Sequence, residues 1–309
     1  MTNDRIQAVT GAFSYTGKYI ARHLLSQGKQ VITLVNHPEQ ARPYGSQLKT
    51  YPFNFDQPEA LTASLEGAEV LYNSYWVRFD YGDSSFQKAI TNTGILLEAA
   101  RRAGVRRVVH ISVSNADPAS TLPYFRGKGQ LEELVANSGL SYAILRPALI
   151  FGREDLLLHN IAWLLRRFPA FAIPGKGDYR VQPIFVEDLA ALAVEAGAME
   201  ENITLDTIGP ETFTFYELVD LLRGAVGSRA LLVRTPPGLA LALSWTLSRL
   251  VGDVMLTRDE LAGLMEDLLM TESPPNAERR LSEWVRENAE GLGREYVSEL
   301  RRHHGRGGK

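Results

Sequence analysis

A tyrosine and a lysine four residues apart are the residues of this sequence best suited to acid/base chemistry. Tyr124 and Lys128 follow Pro123, and proline is favoured in the first turn of a helix. Residues four apart on a helix project from one face, and a cation beside a phenol lowers the phenol pKa from about 10. The spacing predicts a tyrosine that passes a proton to or from a substrate oxygen. The alternative is a solvated pair on an outer helix face.

Two serines precede this pair at the end of an apolar run. The run continues as Ile111-Ser112-Val-Ser114, and ligands of open α/β sheets bind at the carboxyl ends of the strands. A serine hydroxyl at that edge can polarise the same substrate oxygen. The order of serine, tyrosine and lysine along the chain therefore predicts one shared site.

A glycine turn follows the first apolar run and opens the first predicted helix. It reads Thr10-Gly-Ala-Phe-Ser-Tyr-Thr-Gly17, and such a turn allows the backbone to approach a pyrophosphate at a helix N-terminus. Ser14 replaces the middle glycine and leaves less room for that approach. A plain tight turn is the alternative. The residues expected to bind the pyrophosphate are Gly11, Phe13, Ser14, Tyr15, Thr16 and Gly17.

The end of the second apolar run bears on the choice between NADP and NAD. Enzymes that select NAD usually have Asp or Glu at this position to hold the ribose hydroxyls, whereas this chain has Asn36. A neutral side chain does not repel a 2′-phosphate. Lys18, His37 and Arg42 are the nearby cations that can bind one, so the sequence favours NADP over NAD. They can also be ordinary solvated surface residues.

The elements that must position these residues form a repeating pattern. Short apolar runs alternate with helical segments in the first 150 residues, which is typical of an α/β fold with a doubly wound parallel sheet. Residues 1–150 are therefore predicted to form a Rossmann domain, with 179–200 packing back on it. Residues 151–309 are predicted to form a smaller, mostly helical α+β substrate domain. The apolar runs are Ile6–Thr10, Val31–Val35, Leu48–Phe53, Glu69–Tyr72, Val108–Ser112 and Tyr142–Leu145.

Composition excludes several classes of protein. The 309 residues carry a net charge of −3 and no cysteine, which argues against a nucleic-acid partner and excludes disulfides and thiolate chemistry. The six histidines have no metal-site spacing, so no metal is expected. No apolar run is long enough for a membrane span, and the start has no signal region, so we expect a cytoplasmic protein.

The most apolar stretch of the chain is Pro237–Leu256. Burial under the substrate domain is the simpler interpretation, because apolar helices usually pack inward. The alternative is an interfacial or partner-facing helix with Trp245 near its surface.

Together these motifs resemble the extended and atypical short-chain dehydrogenase/reductase superfamily. Within it, the chain is most similar to the branch that contains the nitrogen-repression regulators and the nucleotide-binding accessory subunit of respiratory complex I. The resemblance covers about residues 6–215 and implies a Rossmann domain, a small C-terminal substrate domain, and NADP or NAD as cofactor. The segments that carry it are Thr10-Gly11…Gly17, Asn92-Thr-Gly94, His110-Ile-Ser-Val-Ser114, Tyr124…Lys128, Leu145-Arg-Pro147…Phe151-Gly152 and Gln182-Pro-Ile-Phe-Val-Glu-Asp188.

The resemblance also implies roles for individual residues. It makes Tyr124 the acid/base, Lys128 its pKa partner and a ligand of the cofactor ribose, and Ser114 the group that polarises the carbonyl. Besides Ser14, the chain departs from the family after the third and fourth strands, where Asn54-Phe55 and Asn73-Ser-Tyr-Trp76 replace the usual adenine contact and small residues. The further cofactor-binding residues it implies are Asn54, Phe55, Asn73, Ser74, Tyr75, Lys128 and Pro147.

Two functions remain open from the sequence. The first is an NAD(P)-dependent oxidoreductase or epimerase-type enzyme that acts on a small carbonyl or sugar-like compound. The second is a non-catalytic NADP(H)-binding sensor or scaffold, because this branch also includes members that bind the dinucleotide without reducing anything. A protein partner or a homodimer is compatible with either.

Overall fold

The computed structural model describes residues 5–36 and 48–300, and the chain divides into two compact units. The first comprises Met1–Pro147 and Val186–Thr207, and the second comprises Ala148–Phe185 and Ile208–Lys309. The strands are β1 Ile6–Thr10, β2 Val31–Val35, β3 Leu48–Pro52, β4 Ala68–Asn73, β5 Arg107–Ile111, β6 Ser141–Pro147, β7 Leu149–Phe151, β8 Ala170–Pro174, β9 Arg180–Val181, β10 Pro183–Phe185, β11 Ile203–Thr207, β12 Phe213–Thr214 and β13 Leu231–Thr235. The helices are α1 Tyr15–Ser26, α2 Pro58–Ser64, α3 Phe86–Arg102, α4 Pro123–Ala136, α5 Leu157–Arg167, α6 Val186–Ala198, α7 Phe215–Ala225, α8 Pro237–Val251, α9 Arg258–Met265 and α10 Leu281–Asn288.

The first unit is built on a seven-stranded sheet. Its strand order is β11-β6-β5-β4-β1-β2-β3, and every neighbouring pair is parallel. The chain fills the sheet in one direction from β1 to β3, then crosses past β2 and β1 to form β4 on the other side of β1. This reversal of strand order defines a doubly wound fold. This confirms the predicted α/β Rossmann architecture. β2 and β5 are buried along their whole length, which explains why their sequences read as continuous apolar runs.

A fully buried arginine fixes the amino end of β5. Arg107 donates hydrogen bonds to the carbonyl oxygens of Ala196, in the last turn of α6, and of Glu201, three residues after the helix, both at 2.8 Å. The last carbonyls of a helix have no partner within the helix, and a cation there also interacts favourably with the helix dipole. Arg107 therefore ties β5, which leads to the candidate site, to a helix that is distant in the sequence.

The second unit has its own apolar core. Phe151, Leu218 and Trp284 lie at its centre, contributed by β7, α7 and α10. Thr214 and Glu217 form the capping box that begins α7, as their spacing predicts. β13, in contrast, lies in a segment that the sequence suggested to be helical, and it pairs in parallel with β8.

The exposure of helix α8 differs most from what its sequence predicts. The stretch was expected to be buried, but Ala240 is the one buried residue of this fifteen-residue helix. Among the described residues, no helix is both long and apolar enough to cross a bilayer.

Candidate functional site

The glycine turn connects β1 to α1 at the carboxyl edge of the sheet. Gly11 has a φ of +66°, a conformation that L side chains rarely adopt. A Cβ atom added to Gly17 would lie 2.6 Å from the carbonyl oxygen of Thr10. Glycine at these two positions therefore allows the bend and lets α1 begin directly against the end of β1.

Ser14, in place of the middle glycine, donates two hydrogen bonds within this turn. Its hydroxyl donates to the carbonyl oxygen of Gly11 at 2.6 Å, and its backbone N–H donates to the same oxygen at 2.8 Å. The side chain is thus folded back into the turn, and it does not cap α1. The tight turn from β1 into α1 therefore forms although the middle glycine is absent.

A buried hydrogen-bond network joins the ends of three neighbouring strands. The Thr10 hydroxyl accepts from the Ser74 N–H at 2.8 Å and donates to Asn73 Oδ1 at 3.2 Å. The Asn73 amide donates to Nδ1 of His110 at 3.2 Å. Since Thr10, Asn73 and His110 belong to three different strands, the network fixes the relative positions of the ends of β1, β4 and β5.

The two aromatic residues that follow β4, Tyr75 and Trp76, pack against different parts of the first unit. Tyr75 packs against Phe53 and Phe55, with ring centroids 5.1 and 5.3 Å apart, and its hydroxyl accepts from Asn92 at 2.9 Å. Burial raises the pKa of Tyr75. Asn54, between the two phenylalanines, has a φ of +46°. Tyr75 and Phe55 therefore form one aromatic wall after β3 and β4.

Trp76 lies on the other side, against α4. Its ring stacks on Phe86 at 5.3 Å and meets Tyr124 edge to face at 6.0 Å. A Cβ atom on Gly127 would lie 2.7 Å from Cη2 of Trp76, so the glycine makes room for the indole. Trp76 thus occupies space directly beside the predicted acid/base residue.

Lys128 is the most strongly perturbed charged group of the site. It is 4% exposed, its Nζ donates to the carbonyl oxygen of Ile111 at 2.9 Å, and it lies 5.0 Å from the centroid of the Trp76 ring. Burial lowers the pKa of Lys128 to about 7, against the opposing influence of Glu132. An ammonium with three donors still has capacity for a ligand hydroxyl.

Several residues that shape this environment were not found from the sequence. Glu132 accepts from the Ser112 hydroxyl and pairs with Arg146, whose Nε lies 2.9 Å from its Oε1. His110 is fully buried, and this desolvation, together with the charge of Lys128, holds its pKa well below the usual value. Its Nε2 has no hydrogen-bond partner among the described residues. Their pairing depends on strand order, which spacing alone does not reveal.

The other predicted site residues lie near the same edge or outside the described residues. Ser114 is buried, and its N–H donates to the carbonyl oxygen of Pro147 at 2.9 Å, which joins the ends of β5 and β6. Asn36 is exposed directly after β2. His37 and Arg42 fall outside the described residues. Lys18 lies on α1, 5.3 Å from the Tyr19 ring. The described part of the chain holds no group of three or more residues that could bind a metal ion.

Comparison with known proteins supports a dinucleotide site. Residues 11–154 match the family described as NAD(P)H-binding. The chain is 24% identical to subunit 9 of the mitochondrial NADH dehydrogenase [ubiquinone] 1 alpha subcomplex of Arabidopsis thaliana, over 87% of this chain and 71% of that protein. It is 26% identical to the photosystem II assembly factor Ycf39 of Cyanidium caldarium, over 81% of this chain and 79% of that factor.

Solved structures have the same fold. The NADPH complex of the NADPH-dependent quinone oxidoreductase QOR2 of Escherichia coli has a TM-score of 0.73 at 22% identity, over 91% of this chain and 99% of that one. A nucleoside-diphosphate-sugar epimerase of Staphylococcus aureus has the same TM-score at 17% identity, over the same shares of both chains. The family match and the relatives confirm the predicted resemblance to NAD(P)-binding proteins of the complex I accessory-subunit type and the assignment of NAD(P)H as cofactor, and the solved structures show a shared fold.

Binding should depend on the glycine turn. Gly11→Val places a side chain against Ser14 and in the path of a pyrophosphate, so affinity for NADPH should fall at least about tenfold. Calorimetry of the purified protein measures this. Gly28→Val is the matched control, because Gly28 has a φ of +71° but no atom within 4 Å of an added Cβ. Equal losses in both variants would mean that the turn is not the binding site.

Lys128 should make cofactor binding depend on pH. Its pKa of about 7 means that the ammonium is present below that pH and lost above it. A charged donor contributes about 1 kcal/mol more than a neutral one, so NADH affinity should fall about fivefold from about pH 6 to about pH 8.5. NADH is the right probe because it lacks the 2′-phosphate of NADPH. That phosphate monoester has a pKa of about 6 and would itself titrate in the same range.

The control for this pH dependence is Lys128→Met. This variant should bind NADH more weakly than the wild type at low pH, and its affinity should not change across the range. A wild-type affinity that is independent of pH would exclude Lys128 as a ligand of the cofactor.

Proposed function

Given that residues 11–154 form an NAD(P)H-binding domain, we propose that this protein is an NADP(H)-dependent oxidoreductase that acts on a small carbonyl compound or the corresponding alcohol. The observation that carries the proposal is the buried ammonium of Lys128, one helical turn after Tyr124, with both side chains against Trp76. A buried lysine with a lowered pKa in an otherwise apolar wall is typical of a catalytic site rather than a solvated pair.

The cofactor-binding residues follow from the geometry of the sheet edge. The turn from Gly11 to Gly17 would hold the pyrophosphate. An N–H of the Lys128 ammonium other than the one bonded to Ile111 would donate to a ribose hydroxyl. The wall formed by Phe55 and Tyr75 would flank the adenine. The bound dinucleotide supplies or accepts the hydride.

The chain's own residues move the proton. In the direction of reduction, the Tyr124 hydroxyl donates its proton to the substrate oxygen as negative charge develops there. The Lys128 ammonium stabilises the resulting phenolate, and the Ser114 hydroxyl donates a hydrogen bond to the same substrate oxygen. In the direction of oxidation, the phenolate of Tyr124 takes the proton from the alcohol.

The aromatic residues around Tyr124 favour a flat substrate. Trp76 replaces the small residues usual after the fourth strand, and Phe86 supports its ring. Such a wall suits a conjugated carbonyl, and the Escherichia coli structural relative is a quinone oxidoreductase by name. The large, puckered sugar of a nucleotide-sugar epimerase substrate would need the space that the indole occupies.

A second candidate function is the binding of NADP(H) without turnover. The Arabidopsis relative is named as a subunit of a respiratory complex, and the Cyanidium relative is named as an assembly factor. Both names describe proteins that work within or for an assembly, which favours this alternative. Its partner would then be another protein rather than a small substrate.

Tyr124→Phe separates the two functions. Oxidation of NADPH with a panel of quinones, aldehydes and ketones should fall by about 10²–10⁴, because the variant loses only the positioned proton donor. Cofactor affinity should stay unchanged. Ser114→Ala should lower turnover more than affinity, and Lys128→Met should lower both.

The matched control is Tyr142→Phe, at the opposite end of β6 from the site. It should retain full activity. Full activity of Tyr124→Phe would overturn the catalytic assignment, and a wild type that oxidises NADPH with no member of the panel would favour the non-catalytic function.

Cofactor preference is tested at Asn36. Asn36→Asp places a negative charge where the 2′-phosphate is expected, so the variant should lose about tenfold to a hundredfold in affinity for NADPH relative to NADH. Gln30→Glu adds the same charge at the other end of β2 and should leave the ratio unchanged. Tighter binding of NADH than NADPH by the wild type at low salt would contradict the preference for NADP.

A further inference from the structure

Helix α8, on the second unit, presents an apolar face to solvent. Leu239, Leu243 and Leu250 are 50%, 45% and 78% exposed, and at 3.6 residues per turn they lie within about 40° of one another. Trp245, which is 59% exposed, projects about 120° away from Leu239 around the helix and lies outside this leucine stripe. The outer face of a surface helix normally carries charged and polar side chains. Here the single ionised residue of the helix is Arg249.

The charges on the segment that contains this helix, residues 221–252, all have one sign. Residues 221–252 contain four arginines and neither aspartate nor glutamate, whereas the whole chain has a net charge of −3. Arg229, Arg234 and Arg249 are exposed. The guanidinium of Arg249 lies 3.8 Å from the centroid of the Trp245 ring. Any partner of this surface should therefore be apolar at its centre and anionic around it.

The size of the face argues against a second copy of the chain as that partner. A helix of fifteen residues is about 22 Å long and about 10 Å wide, which gives a footprint of about 220 Å². Stable protein interfaces bury about 800 Å² on each partner. β13 adds only Leu231 and Val233 as exposed apolar side chains. A lipid surface has no such minimum, because each apolar side chain can insert separately.

We infer that α8 lies on a bilayer that contains anionic lipids. Leu239, Leu243 and Leu250 insert between the acyl chains, and Arg249, which projects about 80° from Leu239, lies at the level of the headgroups. Arg249 contacts lipid phosphates, an attraction of about 1 kcal/mol for a cation near the surface. The helix lies in the plane of the interface, and the protein is bound peripherally.

Flotation of the full chain with vesicles tests this inference. Vesicles of phosphatidylcholine and phosphatidylglycerol should carry the protein, vesicles of phosphatidylcholine alone should carry much less, and added salt should weaken binding. Leu243→Glu should reduce binding at least about tenfold, since it puts a charge in the middle of the inserted face. Arg249→Gln should reduce it about fivefold, and Arg249→Lys should retain it.

Met199→Glu is the matched control, because Met199 is an exposed apolar residue of the first unit, 41% exposed. It should float like the wild type. Leu243→Glu must also keep the wild-type melting temperature and NADPH affinity. Equal flotation of Leu243→Glu and wild type, or no flotation of wild type, would overturn the inference. So would a dimer in gel filtration that Leu243→Glu converts to a monomer.

Discussion

The burial of the Lys128 ammonium constrains the whole candidate site. An ammonium group removed from water is strongly unfavourable unless other groups replace its hydration. Here the replacement comes from three elements: the Ile111 carbonyl of β5, the Trp76 ring after β4, and Glu132 one turn further along α4. Each of these contacts stabilises the charged form of the lysine. The electrostatics of the site therefore depend on the folding of the first unit, which brings these three groups around the ammonium.

The order of the strands determines which residues can share this edge. β1, β4 and β5 are neighbours in the sheet, so Thr10, Asn73 and His110 can form one buried network at their ends. The network lies next to the point where the sheet reverses its strand order, which is where ligands of doubly wound folds bind. In the segment that follows β4, Tyr75 packs against Phe53 and Phe55, and Trp76 packs against Tyr124. One short segment thus shapes both sides of the edge.

Features that depend on local sequence could be predicted from the sequence, and features that depend on strand pairing could not. The glycine turn, the buried strands and the capping box at Thr214 have local signatures, and the structure contains all three. The partners of His110 and Arg107 come from elements distant in the chain, so no local pattern identifies them. The apolar sequence of α8 predicted burial because hydrophobicity alone does not distinguish a core helix from a helix that meets a partner.

Titration of Lys128 by NMR shows whether burial depresses the pKa of this lysine and whether the cofactor contacts it. The chain has only seven lysines, so side-chain signals of labelled lysine can be assigned with Lys128→Met. We expect a pKa of about 7 in the free protein, and a clear rise when NADP⁺ is bound, because its hydroxyl oxygens and phosphates stabilise the ammonium. A pKa near the ordinary lysine value of about 10.4, unchanged by NADP⁺, would contradict it.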